Sequence, residues 1–301
     1  VADEVGMGKT MVAKGVIAKL AQTRIKEGDD LFKVIYICSN QAIAKQNIKT
    51  LDIVSMLPQY SKEPLTDTSD TRLSMQHLKI TQQENDKHLK EKFIQIIPLT
   101  PGTSFEMSQG CGNINERALI FAIIKRINEL KNYLKDLEKI CILDATTNGY
   151  AVLQEYEQKV EQTEKQSKRK YPKNIIEELR NVVITIDETE IPLIEYAKKV
   201  AKLRKKRNCT KASRCSKCEY YNDCKRLITE FRINLAQIST RNLNPDLVIM
   251  DEFQRFNTLI DENNQEDSGI LARMFLEENA EDLDKKTRVL LLSATPYKLY
   301  S

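Results

Sequence analysis

Asp3-Glu4-Val5-Gly6-Met7-Gly8-Lys9-Thr10, running straight into a helical pattern, is the stretch that decides the fold. A loop that holds a nucleoside triphosphate needs backbone N–H groups curled around the β-phosphate, and Gly6 and Gly8 permit so tight a turn. Lys9 brings positive charge to the β- and γ-phosphates, and Thr10 brings a hydroxyl to Mg²⁺. Val12, Val16, Ile17 and Leu20 recur at helical spacing, so Met11 to Gln22 reads as a helix whose N-terminal dipole points at the phosphates. The nucleotide-binding set is then Glu4, Val5, Gly6, Met7, Gly8, Lys9 and Thr10, with Asp251 from the strand described next. Asp3 stands where the general phosphate-loop pattern has Gly or Ala. The plainer alternative is a glycine-containing turn before an ordinary helix.

Working outward, short apolar, β-branched runs recur between helical patterns. Val34 to Cys38, Phe93 to Pro98, Leu247 to Met250 and Val289 to Leu292 read as buried parallel strands, and Gln41 to Leu51 as a helix. Strands separated by helices predict an α/β fold with a parallel sheet. The run Asp246-Leu247-Val248-Ile249-Met250-Asp251-Glu252-Phe253-Gln254 delivers two adjacent carboxylates to the end of one strand. One such acid can hold Mg²⁺ and the other can polarise an attacking water. A solvated acidic turn is the bland alternative, weakened by the phosphate loop. Leu291-Leu292-Ser293-Ala294-Thr295-Pro296 ends a further strand in small hydroxyl residues able to hydrogen-bond those acids.

Taken in order, these motifs resemble the Snf2-like branch of the superfamily 2 helicases and translocases, and DEVGMGKT is similar to its DEMGLGKT form. The resemblance implies a RecA-like first lobe that binds ATP and Mg²⁺, with Lys9, Asp251, Glu252 and Gln254 as catalytic residues. Asp251 becomes the Mg²⁺-side acid, Glu252 the water-positioning acid, and Gln254 a link from the γ-phosphate to the nucleic-acid side. Ser293, Ala294 and Thr295 become the relay of nucleotide state. VIYICSNQAIAKQN, with Ser39, and LTPGTSF, with Thr100, Gly102, Thr103 and Ser104, stand where the family touches the nucleic-acid backbone. Ordinary turn chemistry explains those two loops equally well. The resemblance implies DNA, in duplex form, as the partner, with restriction or defence-system subunits as further candidates. The chain opens at Val1 on a catalytic loop and stops at Ser301 after a strand, so the expectation is a piece of a longer protein whose second RecA-like lobe lies elsewhere.

Residues 1–105 and 236–301 make up the expected lobe, and 106–235 a helical insertion rich in charge and poor in apolar residues. Residues 60–91 read as a polar loop or an exposed helix, and His77 and His88 as surface residues. Near the end of the insertion, Cys209, Cys215, Cys218 and Cys224 form a C-x5-C-x2-C-x5-C array. Four thiolates so close together can enclose one tetrahedral Zn²⁺. An iron–sulfur cluster and unliganded thiols are the alternatives. Before them lie Lys198, Lys199, Lys202, Arg204, Lys205, Lys206 and Arg207, and among and after them Lys211, Arg214, Lys217, Lys225 and Arg226, basic residues that either neutralise phosphates or form a solvated helix face.

Apolar residues make up 41% of the 301 and charged residues 30%, a balance that suits a packed core under a charged surface. No run of about 18 apolar residues predicts a membrane span. Seven cysteines without a visible secretory signal favour reduced thiols or a metal site, and a cytoplasmic setting. The net charge of +4 permits a nucleic-acid partner without requiring one. Two other functions fit the same letters: a P-loop ATPase switch with no nucleic-acid role, and a binding module built on the metal knuckle with a vestigial ATP site.

Overall fold

The computed structural model describes residues 8–29, 31–51, 53, 65–66, 71–85, 93–107, 110–145, 148–167, 171–207, 219–256, 261, 263–275 and 287–293. It divides into a unit of Val1–Gln76, Asp86–Glu106 and Thr240–Ser301, and a second of His77–Asn85 and Met107–Ser239. Among the described residues no helix is long and apolar enough to cross a membrane.

The first unit is α/β. Its strands are β1 (Phe32–Ile37), β2 (Leu65–Thr66), β3 (Ile94–Leu99), β6 (Leu247–Asp251) and β7 (Arg288–Leu292), in the order β2-β3-β1-β6-β7. Every pairing is parallel. Both faces of the central strands are buried, which is why their sequences are continuous apolar runs rather than alternations. One face packs against α1 (Lys9–Glu27) through Ala13, Ile17 and Ala21, and against α2 (Gln41–Thr50) through Ala44 and Ile48. At the opposite end from the candidate site, Asp246 accepts from the Lys33 N–H at 2.8 Å and pairs with Arg24 at 3.1 Å. Burial raises the Asp246 carboxyl above its ordinary value, against the pull of the Lys33 N–H and Arg24.

Register decides where the chemistry gathers. Ile37 pairs with Leu99 and with Met250, and Asp251 pairs with Leu292. The strands therefore end level, and Ser39, Thr100, Glu252 and Ser293 follow their carboxyl ends on one edge. Ligands of open parallel sheets bind at that edge.

The second unit is mainly helical. At its centre lies α5 (Ile114–Ile124), buried from Glu116 to Ile124 and so apolar nearly all round. It packs against α6 (Leu134–Cys141) and α7 (Gly149–Gln166). Then follow α8 (Lys173–Asn181), α9 (Leu193–Arg207) and α10 (Glu219–Leu243). Glu116 and Arg232 form an ion pair at 3.0 Å, with side chains 0% and 4% exposed, so neither charge has water to fall back on. Arg232 also donates to the Met107 and Gly110 carbonyls. Gly112, at φ +66°, is required there: a Cβ would lie 2.4 Å from both Arg232 Nε and Glu116 Oε2.

Four expectations change. The stretch expected to be a polar loop or exposed helix contains α3 (Leu73–Asn85), whose Leu73, Met75, Leu78 and Ile80 are buried together with Ser74 and Gln76. His77, expected at the surface, is half-buried and packs edge-on against Tyr171, centroids 5.3 Å apart; His88 lies outside the described residues. The helical unit is not poor in core: Leu119, Ile123, Leu130, Leu153, Leu179, Val200 and Phe231 are all buried. It also holds an antiparallel hairpin, β4 (Val183–Ile186) and β5 (Thr189–Pro192), turning on Asp187 and Glu188 in left-handed conformations.

Candidate active site

The site begins at Gly8, the residue capping the N-terminus of α1, whose φ of +107° only glycine adopts cheaply. Lys9 opens the helix and turns its ammonium to Glu252, 2.7 Å from Oε1. Glu252 follows β6 directly, with φ at +58°, a left-handed conformation rare for a residue with a side chain. Its other carboxylate oxygen accepts from Gln254 Nε2, and the Gln254 carbonyl accepts from Ser293 Oγ at 2.8 Å. Lys9, Glu252, Gln254 and Ser293 thus form one hydrogen-bonded chain across the ends of α1, β6 and β7. Thr10 lies half-buried in the first turn of α1. Glu4, Val5, Gly6, Met7, Ala294 and Thr295 lie outside the described residues.

Asp251, last residue of β6, has its own partners. Tyr36 on β1 donates its hydroxyl to Oδ2 at 2.5 Å, and Asn47 on α2 donates to the same oxygen at 3.2 Å. Asn47 also donates to the Tyr36 hydroxyl at 2.8 Å. Burial, then the carboxylate it serves, raises the Tyr36 phenol far above its ordinary pKa, so it remains a donor. Neighbouring Cys38 is pushed up to about 11 by burial, as suits the core residue expected there. Sequence reading assigned no role to Tyr36 or Asn47. The available signal was a phenol in the middle of an otherwise apolar strand.

The stretch expected as a loop forms a single helical turn, α4 (Pro101–Ser104), capped by Thr100 and braced by Thr71. Ser104 Oγ donates to the Thr71 carbonyl at 2.5 Å and accepts from the Thr100 N–H at 3.0 Å. The hydroxyls of Thr71 and Thr103 meet at 2.7 Å, and those of Thr100 and Thr103 at 2.5 Å. Thr100 and Ser104 are buried, whereas Gly102 is exposed and Thr103 half-buried, so a ligand would meet backbone at Gly102 before any buried hydroxyl. Ser39 is half-buried at the end of β1.

Cys209, Cys215 and Cys218 lie outside the described residues. Cys224, in α10, is buried, and burial pushes its thiol up to about 12. Among the described residues no group of three or more His, Cys, Asp or Glu is placed to hold a metal ion. Part of the basic stretch is spent within the helical unit: Lys198 pairs with Glu195 at 2.6 Å, and Lys202 lies over the Tyr133 ring at 5.7 Å. Arg204 lies 3.9 Å from Asp136.

Hard oxygen donors at Thr10 and Asp251, a cation at Lys9 and a helix N-terminus at Gly8 fit a Mg²⁺–triphosphate pair. No family model matches the chain, and no curated protein or solved structure gives a significant match.

Proposed function

We propose that this chain is the ATP-binding, RecA-like lobe of a nucleic-acid-dependent ATPase of the superfamily 2 type, a helicase or DNA translocase. The observation that carries the reading is the chain Lys9–Glu252–Gln254–Ser293, joining three motifs far apart in sequence at one edge of a parallel sheet. The α1 N-terminus and Lys9 bind the phosphates, and Thr10 and Asp251 take the cation. Mg²⁺, when bound, neutralises the charge on the β- and γ-phosphates. Phosphates draw Lys9 away from Glu252 and so free that carboxylate. Glu252 then orients a water and accepts its proton as the water oxygen bonds to the γ-phosphorus. The bond from that phosphorus to the β–γ bridging oxygen breaks, leaving ADP and phosphate. Gln254 and Ser293 report the change to the nucleic-acid side.

In the same reading Cys209, Cys215, Cys218 and Cys224 would supply the thiolates for one structural centre, a zinc ion or an iron–sulfur cluster. Arginine fingers from a second lobe are worth ~10³–10⁵ in rate, so the lone chain binds ATP but turns over slowly. Calorimetry of Mg·ATP binding tests the proposal: Lys9→Ala is expected to abolish it, and equal affinity in both proteins sinks it. DNA stimulation of ATPase activity, with the second lobe restored, separates a translocase from a switch ATPase.

A further inference from the structure

Burying a phenol in a strand costs roughly 2 kcal/mol or more unless its hydroxyl is bonded. Tyr36 meets that condition in one specific way. It pairs in register with Ile249, so Asp251, two residues on, emerges on the same face of the neighbouring strand. The long phenol crosses that diagonal to reach Oδ2. Asn47, from the helix covering the same face, closes a triangle with both groups.

The decisive detail is an asymmetry. Both donors converge on Oδ2, while among the described residues no donor reaches Oδ1. A carboxylate that served only to satisfy a buried phenol would need neither the second donor nor the open oxygen. A carboxylate meant to offer one oxygen in a fixed direction needs both. Positioning partners of this kind commonly govern the affinity of an oxygen-ligated cation, because they fix the rotamer of the ligand and share its charge.

We propose that Tyr36 and Asn47 are positioning residues that lock the Asp251 carboxylate, leaving Oδ1 to take the divalent cation accompanying the nucleotide. The inference rests on the reading of Asp251 as the cation-side acid. Both act through Asp251, the group to which they donate. Their effect appears in the metal dependence of binding, not in binding of the phosphates themselves.

ATP titrations of the full chain, at a series of Mg²⁺ concentrations and in chelator, test this. Tyr36→Phe removes one oxygen and keeps the ring; Asn47→Ala lies on a half-exposed helix position where alanine favours the fold. Each is expected to raise the Mg²⁺ concentration giving half-maximal tightening of ATP binding about 10-fold. ATP affinity in chelator stays at the wild-type value. Mn²⁺ bound with ATP should give an altered electron paramagnetic resonance spectrum in both variants. If the wild type shows Mg²⁺-dependent binding and both variants keep its half-maximal concentration, the lock is refuted while the ATP-site reading stands. If a variant weakens binding equally with and without Mg²⁺, its role is structural and the inference fails. If the wild type gains nothing from Mg²⁺, the cation role of Asp251 fails first, and the lock with it.

Discussion

The core of the helical unit and the carboxyl edge of the sheet treat their charge in opposite ways. In the helical unit Glu116 and Arg232 close on each other deep inside, and every further bond that Arg232 is seen to make goes to backbone carbonyls. Such a pair fixes the packing of α5 against α10 and leaves nothing to offer a ligand. In the sheet unit Lys9, Asp251 and Glu252 sit half-buried at one edge, where the proposed function has them exchange their partners for phosphate, cation or water. Similar interactions therefore serve rigidity in one region and chemistry in the other. The phenols repeat the contrast. Tyr36 is bonded to two side chains, whereas the buried hydroxyls of Tyr171 and Tyr196 have no hydrogen-bond partner among the described residues.

Breaking the closed pair should have the largest effect. Glu116→Ala strands the Arg232 charge and is expected to destabilise the helical unit by about 3–5 kcal/mol. A Glu116→Leu, Arg232→Met double variant should regain much of that loss, as urea unfolding followed by circular dichroism will show. The open network should respond in rate instead of stability. On the proposed function, Glu252→Gln is expected to keep ATP binding and to lower turnover by on the order of 10²-fold. Turnover at the wild-type rate would remove Glu252 from the water-positioning role.

The smallest effect concerns pH. Burial pushes the Cys141 thiol and the Tyr196 phenol each up to about 12, and raises the Tyr171 phenol as well. In the unfolded chain these groups ionise near their ordinary values, about 8.5 for a thiol and about 10 for a phenol. The folded state thus holds more protons above those values, and its stability must fall as pH rises toward 12. Below about pH 8 this contribution is fully present. Tyr171→Phe removes a hydroxyl that has no hydrogen-bond partner among the described residues, so it should leave neutral-pH stability within about 1 kcal/mol of wild type, or raise it, and flatten the alkaline decline. Melting temperatures between pH 7 and 11 measure both.

Much of the sheet was legible because strands buried on both faces are largely apolar, as VIYI and LVIM are and as IQII is apart from the buried Gln95. The carboxylate pair of Asp251 and Glu252 was legible because chemistry needs both letters together. The α3 helix was not, since Ser74, Gln76 and Thr81 read as surface letters yet are buried beside its apolar residues. The β4–β5 hairpin alternates buried and exposed positions along VITI, but it is short and surrounded by charged helical text. The Tyr36–Asn47–Asp251 triangle depends on strand register, a property of pairing that no single segment encodes.

Glu252 carries one further consequence, which belongs to protein engineering. A side chain at φ +58° holds the backbone about 1–2 kcal/mol above what glycine would need there. A search for stabilising substitutions would pick this position early and replace the glutamate with glycine or asparagine. The folded chain would gain tolerance to heat and lose the carboxylate that Lys9 and Gln254 converge on. Thermal robustness and catalytic competence therefore compete at this residue, and screening by melting temperature alone would select against the function proposed for it.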